Sequence, residues 1–255
     1  MRRFIIKGPN KAIKGEVDIS GAKNSCLPLM AASILFKNKV TLKNVPFVKD
    51  VHTMKDLLIS LGANVEFSES KKMITIKNKK KHKLIVPYKL VSTMRAGVLT
   101  MGPLLARYPQ KKIKVALGGG CALGVRDTNW HLAGFRSLGA TNKLEKGYVN
   151  ISSKKGLVGN KYKFPKVTVT GTSNLIMASI FNQGVHYIRN ISIEPEVLDL
   201  IKFLNDSGAD IKFLGKRYIK IKGIKELING NHTIISDRIE AFSYLCIGAI
   251  TNNNI

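Results

Sequence analysis

Residues 21–67 read GAKNSCLPLMAASILFKNKVTLKNVPFVKDVHTMKDLLISLGANVEF, and residues 171–213 read GTSNLIMASIFNQGVHYIRNISIEPEVLDLIKFLNDSGADIKF. Both run through one order: glycine turn, apolar helix, short strand, polar link, amphipathic helix, Gly-Ala turn, strand. Similarity at so long a period marks repeated supersecondary units that share a core by packing together. A looser copy runs from MRAGVLTMGPLLARY (94–108) to HLAGFRSLGATNKL (131–144). The Gly-Ala turns fall at Gly62, Gly139 and Gly208, each followed by alanine. A fourth copy opens at DRIEAFSYLCIGAI (237–250).

The two helices of a unit differ in kind. The first is apolar nearly all round: CLPLMAASILF, AGVLTMGPLLA, LIMASIF and AFSYLCIGAI. A helix with no polar face is buried on most sides. The second is amphipathic: in VHTMKDLLISLG, Val51, Met54, Leu57, Leu58 and Leu61 recur at helical spacing. The strands KMITIK and YIKIKG alternate polar and apolar, so one sheet face is wet. The pattern predicts an α+β fold turned inside out, with buried helices within and half-exposed sheets outside.

A chain of 255 residues can bury a sizeable core in one large domain or two smaller ones. A hydrophobic content of 44% excludes a disordered chain. No apolar run reaches the roughly 18 residues of a membrane span. The opening MRRFIIKGPNKAIKGEV has too short an apolar run for a signal peptide, so a cytoplasmic address is expected. Cys26, Cys121 and Cys246 are widely spaced without a CxxC pair, and the five histidines are scattered. Reduced thiols are expected, and no metal site. Cys26 and Cys246 lie in apolar runs and read as small core residues. The net charge of +26 admits a nucleic-acid binder. The favoured reading is a lysine-rich composition, because the charge is spread along the chain. Its densest run, KNKKKHKL (77–84), reads as a solvated turn. Such a chain also suits an anionic substrate.

The candidate chemistry sits in a few stretches. In GGGCALGVRD (118–127) a cysteine follows three glycines. From the loop alone it is a nucleophile, an acid, a metal ligand or incidental. The glycines free the backbone to place a thiol over a small ligand, and Arg126 would stabilise a thiolate. Lys23 and Asn24 sit where a strand meets the N-terminus of a buried helix, where free N–H groups favour an anion. KVTVTGT (166–172) offers a lysine, hydroxyls and a glycine turn suited to a diphosphate.

Together GAKNS, TMRAGVLTMGPLLAR, GGGCALGVRD, VTVTGTSNLIMA, EPEVLDL and SDRIE resemble the UDP-N-acetylglucosamine 1-carboxyvinyltransferases, the enolpyruvyl transferases of peptidoglycan synthesis, from Phe4 to Ile255. The resemblance implies an inside-out α/β barrel of the enolpyruvyl transferase type, two similar domains of three βαβαββ units each. Lys23 to about Ser236 would be one complete domain (23–236). Residues 1–22 and 237–255 would belong to a second, incomplete one. That domain's remainder, with a catalytic aspartate and further arginines, would be absent here, so this chain alone is expected to be inactive.

The implied reaction transfers the enolpyruvyl group of phosphoenolpyruvate to the 3′-hydroxyl of UDP-N-acetylglucosamine, with release of phosphate and no cofactor or metal. By resemblance Cys121 is the general acid and the site of a covalent adduct. Lys23 and Asn24 serve phosphoenolpyruvate and the reacting sugar, Arg126 binds phosphoenolpyruvate, and Arg95 contacts the UDP-sugar. Asp127, Thr128, Asn129, Trp130 and His131 fall on the uridine side, and Lys166, Val167, Thr168 and Val169 on the diphosphate. RDTNWH (126–131) departs from the Arg-Pro-Val-Asp-Leu-His of some relatives, with Asn129 in place of a carboxylate. Lys49 reads as a substrate-side cation and Glu194 as a residue that orders a loop. The expected partners are the two substrates, without nucleic acid or membrane. Two alternatives stand beside this reading: a 5-enolpyruvylshikimate-3-phosphate synthase-like transferase, against which the cysteine loop and GAKNS argue, and a non-enzymatic basic protein that binds nucleic acid.

Overall fold

The computed structural model describes residues 3–5, 15–79, 81–92, 94–116 and 128–251. Within them the repeat becomes three units built to one plan. The first holds helix α1 (Lys23–Ala32), strand β1 (Val40–Lys43), helix α2 (Lys49–Leu61) and strands β2 (Ala63–Ser68) and β3 (Met73–Asn78). The second holds β4 (Ile85–Val86), the short α3 (Tyr88–Val91), a 3-10 turn (Arg95–Thr100) leading into α4 (Met101–Arg107), then β5 (Ile113–Ala116), α5 (Asn129–Ser137), β6 (Thr141–Glu145) and β7 (Tyr148–Ser152). The third holds β8 (Lys161–Lys163), α6 (Val169–Ser179), β9 (Val185–Arg189), α7 (Pro195–Asp206), β10 (Asp210–Gly215) and β11 (Tyr218–Lys222). Strand β12 (Asn231–Thr233) and helix α8 (Arg238–Thr251) follow.

Each unit carries one four-stranded sheet, ordered β12-β1-β3-β2, β4-β5-β7-β6 and β10-β11-β9-β8. In each, the strand before the apolar helix runs parallel to the strand after it, and the hairpin that ends the unit adds two antiparallel strands. The first unit takes its leading strand from the other end of the chain: β12 pairs with β1, Leu42 opposite His232. The sheets stay separate and open around the helices, which is the inside-out arrangement expected, without a closed barrel. Short strands with distinct partners leave no continuous ladder to close.

The amphipathic helices end where glycine permits it. Gly62, Gly139 and Gly208 take φ values of +107°, +85° and +101°. This left-handed turn ends a helix with little strain only at glycine, and the following alanine at each site starts back toward the sheet. The apolar helices fill the centre. Residues 25–32 of α1, 101–106 of α4 and 171–179 of α6 are buried without interruption. Gly102 lets α4 approach α6, since a Cβ there would meet the Asn174 carbonyl oxygen at 2.2 Å. The alternation read in β3 and β11 holds, with Ile74, Ile76, Ile219 and Ile221 fully buried.

Two expectations change. Helix α8 is apolar all round but not buried: Phe242, Leu245 and Ile250 are 66%, 67% and 84% exposed. Among the described residues nothing covers its outer side, and Cys246 is half-buried where a core thiol was expected. The lysine run at 77–84 is not wholly solvated either. His82 turns inward, bonding Tyr108 Oη through Nδ1 at 2.8 Å and Asn78 Oδ1 through Nε2 at 3.0 Å. Burial, helped by the Arg107 cation, pushes its pKa down to about 4. No helix among the described residues is long and apolar enough to cross a membrane.

Candidate functional site

Lys23 opens α1 on a turn that crosses the chain a second time. Gly21 bridges Ser236, Ala22 N donates to Ile235 O at 2.8 Å, and Asp237 N donates to Ser20 O at 2.8 Å. The first backbone amide of α1, Lys23 N, points at Asp237 Oδ2 at 3.3 Å. Asp237 Oδ1 meanwhile accepts from Ile239 N and Glu240 N, so one carboxylate serves the starts of two helices. Glu240 reaches across to Ser20, accepting from its N–H at 2.9 Å and its hydroxyl at 2.6 Å. The Lys23 ammonium pairs with Asp50 Oδ2 at 3.2 Å, with both side chains more than a third exposed (40% and 36%). Asn24 is exposed beside it. This leaves a cation and an amide at a helix N-terminus within reach of solvent.

A second cluster joins segments distant in sequence. Thr128 precedes α5, which Asn129 and the half-buried Trp130 begin. Thr168 caps α6, its hydroxyl accepting from Gly171 N at 3.2 Å, and Lys166, Val167 and Val169 are exposed around that cap. His131 links the two helix starts. It is 4% exposed, with Nε2 3.4 Å from Thr170 Oγ1 and Nδ1 3.0 Å from Asn174 Nδ2. An amide nitrogen is a donor, so Nδ1 accepts from Asn174. Asn174 continues inward: Nδ2 also donates to Val98 O at 2.8 Å and Oδ1 accepts from Gly102 N at 2.7 Å. One buried amide therefore fixes the starts of α5 and α6 against the 3-10 turn that begins at Arg95.

The other expected residues divide. Cys121, Arg126, Asp127 and the Arg95 side chain lie outside the described residues. Lys49 is exposed at the start of α2, and its neighbour Asp50, rather than Lys49, turns to Lys23. Glu194 accepts the Ser192 hydroxyl just before α7. Cys26 lies inside α1, fully buried, and burial pushes its thiol pKa far up, which keeps it protonated. Sequence reading did not single out Asp50, Asp237 and Asn174, and Thr170 entered only as one of the hydroxyls of KVTVTGT. Only Asp237 had a usable local signal, the Asp-x-x-Glu spacing of a helix start.

The same plan is found in known proteins. The family model for EPSP synthase (3-phosphoshikimate 1-carboxyvinyltransferase) matches residues 7–255. A UDP-N-acetylglucosamine 1-carboxyvinyltransferase of Pelagibacter ubique is 44% identical over 255 residues, all of this chain and 60% of that protein. One from Helicobacter pylori is 43% identical over 245 residues, 95% of this chain and 57% of that protein. The chain thus spans about three fifths of the length of these relatives. Among solved structures, the enolpyruvyl transferase NikO from Streptomyces tendae superposes with a TM-score of 0.80 at 19% identity, covering 93% of this chain and 55% of that one. An EPSP synthase from Acinetobacter baumannii gives 0.72 at 19% identity, covering 94% and 54%. At that identity the two structures speak for the fold alone. The chain belongs to the EPSP synthase family of carboxyvinyltransferases, and the curated relatives it matches at 42–44% identity are UDP-N-acetylglucosamine 1-carboxyvinyltransferases.

Proposed function

We propose that this chain provides one side of the active cleft of an enolpyruvyl transferase, which moves the enolpyruvyl group of phosphoenolpyruvate onto the 3′-hydroxyl of UDP-N-acetylglucosamine in the cytoplasm. The observation that carries this reading is the joining of the α5 and α6 starts through His131. It gathers Thr128, Asn129 and Trp130 with Lys166, Val167, Thr168 and Val169, the stretches assigned by resemblance to the uridine and diphosphate. The N-terminus of α6 and the exposed Lys166 suit a diphosphate. His131 acts by holding the two helix starts in register, since its ring is buried and turned to Asn174.

Phosphoenolpyruvate carries a phosphate and a carboxylate, for which Lys23 and Arg126 supply cations, and Lys23 with Asn24 also serves the reacting sugar. Cys121 gives its thiol proton to the methylene carbon, making C2 cationic. The 3′-hydroxyl oxygen attacks C2 and its proton passes to a base. The resulting methyl group then returns a proton to the Cys121 thiolate as the C2–O bond to phosphate breaks, which re-forms the C2=C3 double bond and releases phosphate. By resemblance the base and further arginines belong to the part of the relatives that this chain does not match. Residues 23–236 would form the complete three-unit domain, with the bridged segments at 20–22 and 235–237 as its two connections to the second.

Trp130 is the chain's only tryptophan and flanks this cluster. Titration with UDP-N-acetylglucosamine is expected to change its fluorescence and saturate, while shikimate 3-phosphate leaves it unchanged. A response to shikimate 3-phosphate alone would favour the sister transferase. No response to either ligand in folded protein would remove the proposal.

A further inference from the structure

The third sheet has an outer face unlike the other two. Side chains alternate along a strand, so the register fixes which ones share a face. Lys161 lies opposite Tyr187, which lies opposite Lys220, which lies opposite Lys212. One row on, Lys163 lies opposite Arg189, and Arg189 opposite Tyr218. Lys222 continues the same face, beside Val185 and Asp210. All the cations are exposed except the half-buried Lys220, and both tyrosines are half-buried. The single carboxylate, Asp210, lies 3.6 Å from the Lys212 ammonium. Lysines that look dispersed in the sequence are thus collected from four strands onto one surface.

The rings stand on the two central strands, β9 and β11, with lysines on the strands at either side. Their centroids are 6.3 Å apart, and the Arg189 guanidinium lies 4.5 Å over the Tyr218 ring. A groove of about 440 Å³ runs along Lys161, Lys163, Tyr187, Arg189 and Tyr218. Aromatic and guanidinium planes in the middle of an open sheet offer stacking surfaces for flat rings, and flanking cations offer partners for regularly spaced anions. We infer that the outer face of the β10-β11-β9-β8 sheet binds a single strand of nucleic acid, bases on Tyr187 and the Arg189–Tyr218 pair, phosphates along Lys161, Lys163 and Lys220. Charge alone would accept any polyanion. It is the paired rings that favour bases over an acidic polypeptide or an anionic glycan.

The test is fluorescence anisotropy of the full chain with a labelled oligothymidylate and with an abasic strand of equal length, across a salt series. Oligothymidylate is expected to bind more tightly than the abasic strand. Tyr187→Ala should weaken it roughly 5- to 150-fold at an unchanged salt slope, the effect of losing one stacked base. Tyr187→Phe keeps the ring and should keep the binding. Lys163→Gln with Lys220→Gln should flatten the salt dependence by about 0.7 for each phosphate left without its cation. UDP-N-acetylglucosamine should not compete, because its proposed site is elsewhere. Equal binding of both strands, insensitivity to Tyr187→Ala in a variant with unchanged circular dichroism, or displacement by the UDP-sugar would each overturn the inference.

Discussion

Lys23 has a role in stability that can be separated from the role in binding proposed for it. Its ion pair with Asp50 is half-exposed, and such pairs contribute about 1 kcal/mol or less. Lys23→Met should therefore move the unfolding midpoint little. The same change should weaken UDP-N-acetylglucosamine roughly 10- to 150-fold, the effect of losing a charged hydrogen bond, as read by Trp130 titration. Comparable losses of stability and affinity would show that Lys23 is structural. Two buried histidines behave in the opposite way, carrying stability and no chemistry. His186 bonds Ser179 Oγ at 2.8 Å through Nδ1, and burial pushes its pKa down to about 4, as it does for His82. Between the ordinary 6.5 and about 4 the unfolded chain takes up protons that the folded chain refuses. Stability should then fall as pH drops through that window, by up to about 3 kcal/mol per histidine. Urea midpoints at about pH 7 and about pH 4.5 measure this, and His186→Gln should make the fall shallower. Lys23 was legible in the sequence because a lysine after a glycine turn at the start of an apolar helix is a local pattern. His82 was not. Its partners Asn78 and Tyr108 are set by the packing of two units, and the lysines around it pointed to solvent.

The helices and strands were the most legible level. Apolar periodicity separated the buried α1, α4 and α6 from the amphipathic α2, α5 and α7, and the Gly-Ala turns marked where each of the latter ends. What the pattern could not give is how the helices are locked together. Asn174, fully buried in α6, is the clearest case: a polar residue there is a liability unless its partners are present. It holds Gly102 N–H, Val98 C=O and the His131 ring at once. Asn174→Ala should destabilise the fold by about 2–4 kcal/mol, because the groups left behind are buried and unpaired. It should also lower affinity for the UDP-sugar, since the starts of α5 and α6 lose their common support. Thermal melts and Trp130 titrations on the same variant check both. A variant that melts normally would mean that water or a rearranged neighbour replaces the amide.

Across the whole molecule the repeat closes on itself. β12 brings residues 231–233 back to complete the sheet of the first unit, and its His232 Nε2 meets Asp199 Oδ1 at 2.8 Å deep in the structure. Asp199 also accepts the Ser25 hydroxyl, so α1, α7 and β12 are tied at one buried point. The internal repeat revealed the three units but not this closure, because β12 is only three residues long and too short to show a period. The same closure places residues 20–22 beside 235–237, next to Lys23. If the starts of α1, α5 and α6 serve one ligand, as proposed, that ligand should order all three together. Hydrogen–deuterium exchange with and without UDP-N-acetylglucosamine tests it most directly. Protection is expected together in the segments around residues 21–25, 128–131 and 166–172, with no change along β9 and β11. Protection confined to one of these segments, or found on the outer face of the third sheet instead, would contradict it.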